Sequence, residues 1–325
     1  MLKYLKLIRI HNLLMVPLTM YLLRYGIIEP ILTYGYSFAL GQDMDLQLPF
    51  GLFNLLIGIN MLLGAAGYVI NDYFDRKIDS INRPGEVIVG QSIHRRFAII
   101  LHFTLNAIAV LMAGYLSWYF RNPFIFVMYL MISGIFWLYS TTYKKQFLVG
   151  NLIVALGTAM IPLQLTYFDI SALIQTYGPD MVAKGLSFNI LFAWLATFAL
   201  FAFLTNLVRE MIKDLEDFEG DASYGCNSLP VVLGIKATKG VVVVLNIITA
   251  MLLTFVYYNY ITDPLSKWYL LLLIVIPLLL VALLITRAKT QKHYHRLSQA
   301  IKLIMLMGIL YALVARYLMQ FIFNL

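Results

Sequence analysis

Residues 46–82 read LQLPFGLFNLLIGINMLLGAAGYVINDYFDRKIDSIN. From Leu46 to Asn71 the stretch holds no Asp, Glu, Lys or Arg, and then Asp72, Asp75 and Asp79 arrive in D-x-x-D-x-x-x-D spacing. An uncharged run of this length is enough to cross a bilayer as a helix, which takes about 20 residues. On a helix, carboxylates at i, i+3 and i+7 fall on one narrow face. The stretch therefore reads as a transmembrane helix that ends in a row of acids.

The rest of the chain repeats the first half of that reading. Phe97–Phe120, Asn122–Tyr143, Gln146–Phe168, Gly185–Val208, Gly240–Ile261 and Trp268–Thr286 are also free of charge. Two further spans, near Tyr4–Ile28 and Leu297–Phe321, carry Arg9, Arg24, Lys302 and Arg316. These charges are expected to snorkel to the headgroups. The fold class expected is an all-α polytopic membrane protein: nine transmembrane helices in one domain over residues 1–325, with a hint of two related four-helix halves plus a ninth helix. Composition agrees. Of 325 residues 61% are hydrophobic and 12% charged, against about 45–50% and 25% in soluble domains. That excludes a soluble globular enzyme and a disordered or fibrous chain. The basic start at Lys3, Lys6 and Arg9 is reminiscent of a signal peptide, but no small-residue cleavage site follows a short core, so the first span is read as a retained helix. The single cysteine, Cys226, excludes a disulfide framework and a cysteine-ligated metal site.

The charged residues sort by side. With nine spans and the N-terminus inside, one face carries 19 of the 24 Lys and Arg. The positive-inside rule then predicts a multi-pass protein of the cell membrane, with the N-terminus and the loops 72–96 and 209–239 cytoplasmic and the C-terminus outside. The net charge of +8 is topogenic; no basic stripe with stacking aromatics points to nucleic acid.

The acids do not follow the bases. Ten of the 16 Asp and Glu fall in windows 72–86 and 210–221, and the other six lie on the outer side in this topology. The second window contains KDLEDFEGD, in which Asp214, Asp217 and Asp221 repeat the first spacing at an offset of 142. Three unpaired carboxylates at mid-bilayer would cost on the order of 8–10 kcal/mol, so both rows should sit at helix mouths and be neutralised. All-oxygen donors suit Mg²⁺, which takes one or two carboxylates together with phosphate oxygens and water. Two such rows make a seat for Mg²⁺ and a diphosphate; the alternative is a pair of acidic helix caps bridged to nearby Lys and Arg. Arg76, Lys77 and Arg83 flank the first row, Arg209 and Lys213 the second, and Lys144 and Lys145 follow Tyr139 on the loop after the fourth span. All are candidates to hold phosphate oxygens. Asn12, Asn60 and Asn206 lie within spans, where Asn more often bonds a neighbouring helix; Asn12 is the one kept as a candidate for the acceptor or phosphate. The five histidines show no metal-ligand pattern.

With these residues in place, the chain resembles the UbiA superfamily of intramembrane prenyltransferases. That family has nine helices, with N-D-x-x-D-x-x-x-D after the second and D-x-x-D-x-x-x-D after the sixth. Asn71, Asp72, Asp75 and Asp79 fill the first pattern, and Asp214, Asp217 and Asp221 the second. The resemblance implies that the six aspartates bind Mg²⁺ ions clamping a prenyl diphosphate, whose tail lies in a lipid-facing tunnel. Asn82, Arg83 and Pro84, then Tyr139, Ser140, Lys144, Gly150 and Asn151, then Arg209, Glu210 and Lys213 are most similar to the digeranylgeranylglyceryl phosphate synthase branch. That likeness implies transfer of a geranylgeranyl group to a glycerol-phosphate lipid. The chain departs from the branch at Gly85–Gly90, which reads GEVIVG and puts Glu86 where a base is expected.

The chemistry expected is ionisation of an allylic diphosphate in a dry apolar chamber, helped by Mg²⁺ and basic side chains. A lipid-soluble acceptor then captures the carbocation through a hydroxyl or, in the alternative reading, through the ring of an aromatic quinone precursor. Asp72, Asp75, Asp214 and Asp217 are expected to be catalytic, with Tyr139 as a contact or base. Asn12, Asn71, Arg83, Lys144, Arg209 and Lys213 are the substrate-binding candidates. A cation transporter would place its acids near the midplane, and a CDP-alcohol phosphotransferase would show D-G-x-x-A-R, which is absent.

Overall fold

The structure, a computed structural model, describes residues 2–82, 85 and 87–323; Arg83 and Glu86 lie outside the described residues. Among those described, nine helices are long and apolar enough to cross a membrane: Ile10–Leu40, Phe50–Asn82, Arg95–Tyr119, Pro123–Thr141, Val149–Ala183, Asn189–Glu216, Ile235–Ile261, Pro264–Arg287 and Gln291–Phe321. They are called spans 1 to 9. The described residues contain no strand beyond a single bridge between Val89 and Ile93. The chain is thus an all-α, multi-pass integral membrane protein.

Local chemistry sets several helix starts. Span 4 begins where the Asn122 side chain accepts from the Phe124 amide at 3.0 Å, with Pro123 next, where no amide hydrogen is needed. Span 8 repeats the device with Asp263, Pro264 and the Ser266 amide at 2.8 Å. In span 1 the backbone widens into π-helical turns at Arg24–Ile28 and Ile31–Tyr36, on either side of Pro30. Proline cannot donate the usual helix hydrogen bond there.

The chain packs as two compact units. The first comprises Met1–Leu18, Pro49–Gly150 and Asp217–Val231. Its spans 2, 3 and 4 pack on one another, and Leu7, Val69, Val89, Ile93 and Ala98 form a buried cluster in it. His102 is buried, with Nδ1 2.9 Å from the Ala66 carbonyl oxygen. Beside it, Asn106 accepts from Ser133 at 2.6 Å. This histidine joins helices, as expected of one with no ligand pattern around it. The unit also takes in the segment after span 6, so Asp217 and Asp221 of the second row fold with the first.

The second unit comprises Thr19–Leu48, Asn151–Glu216 and Val232–Leu325. Asn206 donates to the Val154 carbonyl at 3.2 Å and the Thr158 hydroxyl at 2.7 Å, the helix-joining role expected of a buried Asn. Ser266 and Tyr311 share a hydrogen bond of 2.7 Å. Here the structure corrects two expectations. Arg24 does not snorkel: it is 2% exposed. Asp169 is not in an outer loop, because span 5 runs on to Ala183 and buries it to 1% exposure. The two lie 3.3 Å apart, and Arg24 also donates to the Leu48 carbonyl. Each cancels a charge that the other could not leave uncompensated, which removes the need for either to reach water.

Breaking such a pair from one side commonly costs about 3–5 kcal/mol, whereas replacing both partners with apolar residues is often neutral. Arg24→Leu is therefore expected to lower the thermal midpoint of the detergent-solubilised protein sharply. Arg24→Leu with Asp169→Leu should recover most of the loss. Equal losses in the single and double variants would show that the pair is not what holds these residues inside.

Candidate active site

Span 2 runs unbroken to Asn82, so Asp72, Asp75 and Asp79 lie on one continuous helix beyond its apolar stretch. Each of the first two acids has a cationic partner. Asp72 Oδ1 accepts from Arg9 Nη2 at 2.8 Å. Arg9 has left-handed backbone angles, φ 49° and ψ 53°, between two helical segments, and its guanidinium lies 5.1 Å from the Tyr68 ring centre. Left-handed geometry is strained for a residue with a Cβ and persists where its surroundings impose it.

Asp75 is 4% exposed. It receives the Lys144 ammonium and, at 2.6 Å, the Asn71 amide. The other end of the Asn71 amide, Oδ1, is buried without a hydrogen-bond partner. Lys144 sits on the single turn Tyr143–Lys145 after span 4. Burial alone would pull its ammonium down, but the charges of Asp75, Tyr139 and Asp79 hold it above the ordinary lysine range. Its backbone lies close against Gly150, where an added Cβ would come 3.0 Å from Lys144 Cα. The same loop is tied to the second acid segment: the Asn227 amide donates to the Lys145 carbonyl at 2.9 Å.

The second row departs from the single helical face that its spacing predicts. Span 6 stops at Glu216, Asp217 has φ −95° and ψ 9°, and a short helix, Phe218–Ser223, carries Asp221. The cause is Asn82, at the end of span 2. Its Nδ2 donates to the Asp217 carbonyl at 3.1 Å and its Oδ1 accepts from the Gly220 amide at 2.9 Å. One side chain thus takes both backbone groups at the break. The approach leaves no room for a side chain at 220, since a Cβ there would lie 2.5–2.6 Å from the Asn82 amide group.

Within the first unit, then, Asp72, Asp75, Asp79, Asp217 and Asp221 lie around Lys144, close enough for their charges to act on one another. Burial lifts the Asp221 carboxyl to about 6, with Asp217 and Asp75 adding to the rise and Lys144 opposing it. Among the described residues no three His, Cys, Asp or Glu side chains are drawn tightly enough together to hold a metal ion as they stand. Asp72 and Asp75 are turned to Arg9, Asn71 and Lys144 instead. The donor set still fits a hard cation: carboxylate oxygens in excess over bases, one carboxyl raised by burial, and an amide oxygen with nothing to bind.

The remaining candidates fall elsewhere. Asp214 belongs to the second unit, where the Asn151 amide donates to its Oδ2 at 2.9 Å. Arg209 and Lys213 are in that unit too, both on Glu210, at 2.9 Å each. Tyr139 is half-buried near the end of span 4, and Asn12 is half-buried in span 1. The Arg76 side chain packs against Gly90, whose φ of +88° suits glycine. Sequence reasoning missed the roles of Asn82, Asn151 and Arg9 toward the acids. Asn82 and Asn151 were visible only as parts of the branch likeness, and Arg9 only as a charge near a span end that could snorkel or contact the acceptor or phosphate.

Comparison with known proteins gives a family and a fold. The model of the UbiA prenyltransferase family matches residues 30–316. The chain is similar to the digeranylgeranylglyceryl phosphate synthase of Thermococcus sibiricus, 34% identical over 200 residues, which are 60% of this chain and 62% of that protein. The match thus spans less than two thirds of that relative. The chain is also similar to the Methanosphaera stadtmanae protein of the same name, 29% identical over 245 residues, 75% of this chain and 80% of the other. Among solved structures, a UbiA homolog from Archaeoglobus fulgidus bound to DMAPP and Mg²⁺ shares the fold, with a TM-score of 0.53 at 17% identity over 96% of this chain and 99% of that one.

The contact between Asn82 and Gly220 generates a test. Gly220→Ala should cost about 1–3 kcal/mol through overpacking. It should also free the segment 217–223, seen as faster amide hydrogen exchange there than in spans 3 and 4. Asn82→Ala should speed exchange in the same segment. Unchanged exchange in both variants would mean that the break at Asp217 does not depend on Asn82.

Proposed function

The chain belongs to the UbiA prenyltransferase family, and from that premise we propose that it moves a geranylgeranyl group from its diphosphate to the hydroxyl of geranylgeranylglyceryl phosphate in a Mg²⁺-dependent reaction. One observation carries the reading: residues of both acid rows fold into one unit around Lys144. The names of the Thermococcus and Methanosphaera relatives, and the DMAPP and Mg²⁺ in the Archaeoglobus structure, support the donor, the metal and the acceptor.

The residues that would hold magnesium are Asp72, Asp75, Asp79, Asp217 and Asp221, with Asp214 included on its place in the repeated spacing. When bound, Mg²⁺ supplies positive charge against the leaving diphosphate as the allylic C–O bond breaks. The protein's own part follows from its pairings. A carboxylate that turns to a cation gives up its basic partner, so Lys144 and Arg9 become donors for phosphate oxygens. Asn71, with Oδ1 unpaired, can orient water or a phosphate hydroxyl beside the same acids. Arg83, Arg209 and Lys213 are further phosphate-holding candidates, and Asn12 a contact for the acceptor. Tyr139, within the electrostatic reach of Lys144, is placed as a substrate contact and as a candidate to take the acceptor's proton. The apolar spans exclude water, which would otherwise capture the carbocation.

Loss of one preorganised electrostatic contact commonly costs about 10²–10³ in rate. Asp72→Asn, Asp75→Asn, Asp214→Asn and Asp217→Asn are each expected to lose that much transfer in purified, folded protein given geranylgeranyl diphosphate and the lipid phosphate. Added Mg²⁺ should partly rescue variants in which metal affinity is merely weakened. Near-normal turnover in Asp72→Asn or Asp217→Asn, with unchanged Mg²⁺ dependence, would show that the rows are not the metal site. The acceptor is tested in the same assay: turnover of a hydroxybenzoate- or naphthoate-type acid, with none of the lipid phosphate, would replace this acceptor by an aromatic one. The departure at Gly85–Gly90 is the feature that favours including that arm.

The site is proposed to open to the cytoplasm, with the N-terminus on that side, in keeping with the split of basic residues. Cysteines introduced at Ser80, Thr142 and Ser223 should label from the cytoplasm and one at Asp180 from outside. Outside labelling at any of the first three would reverse the orientation.

A further inference from the structure

The ends of spans 7, 8 and 9 carry charges that the reaction leaves unused. Lys236 and Lys239 stand in the first turns of span 7, and Arg287 ends span 8. Lys289 lies in the connection 288–290, and Lys292 and Arg296 open span 9. All belong to the second unit. Lys239 Nζ donates to the Ala288 carbonyl and lies 5.6 Å from the Tyr294 ring centre. The Tyr294 hydroxyl donates to the same carbonyl at 3.3 Å. Ala288 and Tyr294 are buried, and the Thr290 carbonyl accepts from the His293 amide at 2.9 Å. The start of span 7 is therefore held against the connection between spans 8 and 9, and the charges stand together at one end of the unit.

Nothing negative is built in among them. Lys236, Arg287, Lys289, Lys292 and Arg296 are exposed, and among the described residues none of the five has an ion-pair partner. Glu216 lies 3.0 Å from His295 instead. From Ala222 to Leu325 the sequence holds one acid, Asp263. It caps span 8 at the other end, separated from Lys236 by the 27 residues of span 7, about 40 Å of helix. Lys292 and Arg296 share a helix face one turn apart, where like charges repel at a cost in stability. Charges that only orient the chain during insertion do not require this arrangement, because Asp and Glu count for little in that rule and could be interspersed.

The height of the group selects its partner. Ends of membrane helices meet the bilayer surface, where the anions are lipid phosphates, and each Lys or Arg there gains affinity from an anionic surface. Five cations spread over three helix ends match several headgroups side by side rather than one small anion. We propose that Lys236, Arg287, Lys289, Lys292 and Arg296 form a docking surface for the anionic phospholipid headgroups of the bilayer. The proposal stands apart from the functional reading, since none of the five is placed at the reaction.

The test uses the full chain in a neutral maltoside detergent. Fluorescent phosphatidylglycerol or phosphatidylcholine is added, and binding is read as fluorescence polarisation. The wild type should prefer phosphatidylglycerol at low salt and lose the preference as salt rises, because exposed charges are screened. Each basic residue at an anionic surface contributes about fivefold in affinity. Lys289→Gln/Lys292→Gln/Arg296→Gln should therefore weaken phosphatidylglycerol binding about 100-fold and leave phosphatidylcholine unchanged. Lys289→Arg/Lys292→Arg/Arg296→Lys, which keeps the charges, should keep the affinity. Lys267→Gln, at the other end of span 8, should change nothing. Wild-type affinity in the triple Gln variant would reduce the charges to their role in insertion and overturn the proposal. An equal loss in Lys267→Gln would make net charge the cause and overturn it too. Inorganic phosphate should displace no more lipid than sodium chloride of the same ionic strength; specific displacement would make a small soluble anion the occupant and overturn the assignment. If the triple variant does not fold, Lys236→Gln with Arg287→Gln decides: a loss of about 25-fold is expected, and undiminished affinity overturns the proposal.

Discussion

A carboxylate at the mouth of an apolar helix has to be met by positive charge or by donors, and in the first unit that requirement decides where two other segments go. Asp75 draws the loop after span 4 onto span 2 through Lys144. Asp72 holds Arg9 in a backbone conformation that a residue with a Cβ otherwise avoids. At mid-bilayer an uncompensated row would cost on the order of 8–10 kcal/mol, comparable with the total stability of a domain, which keeps it at the mouth. The compensation is made of groups from three parts of the chain, so the pairs that neutralise the row also hold the first unit together.

How much of this the sequence discloses depends on the range of each interaction. Charge-free runs are local, and they place seven of the nine spans; the first and last show as apolar stretches with two charges each. The acid spacing is local as well and marks both rows. Pairings across the chain leave no local trace. Nothing near Arg9 says that its partner is Asp72, and nothing near Asn82 says that it will bond the backbone at Asp217 and Gly220. The ends of helices are read poorly for a related reason. Span 5 continues past Asp169 because a partner on another helix makes burial of that acid tolerable, and a window of sequence cannot see the partner.

The two acid rows look alike on paper and are built differently. The first is a face of one continuous helix; the second is split by a break at Asp217. The break needs a residue that can accept from one backbone group and donate to another at once, and an asparagine side chain does both. It also needs a neighbour without a Cβ, which Gly220 supplies. Asn82 lies three residues past Asp79, so the end of the first row positions part of the second. Equal spacing in sequence therefore records equal numbers of acids, not equal geometry.

Acids within this chain reach three different ends, and the surrounding charge decides between them. Asp169 faces a single arginine in a dry interior and becomes part of the framework. Glu210 takes Arg209 and Lys213 at 2.9 Å each, all three on one helix. The aspartates of the first unit outnumber Arg9 and Lys144 among them and leave a negative surplus. A balanced pair gives stability and no affinity. A surplus of either sign costs stability, and a ligand of opposite charge recovers that cost when it binds.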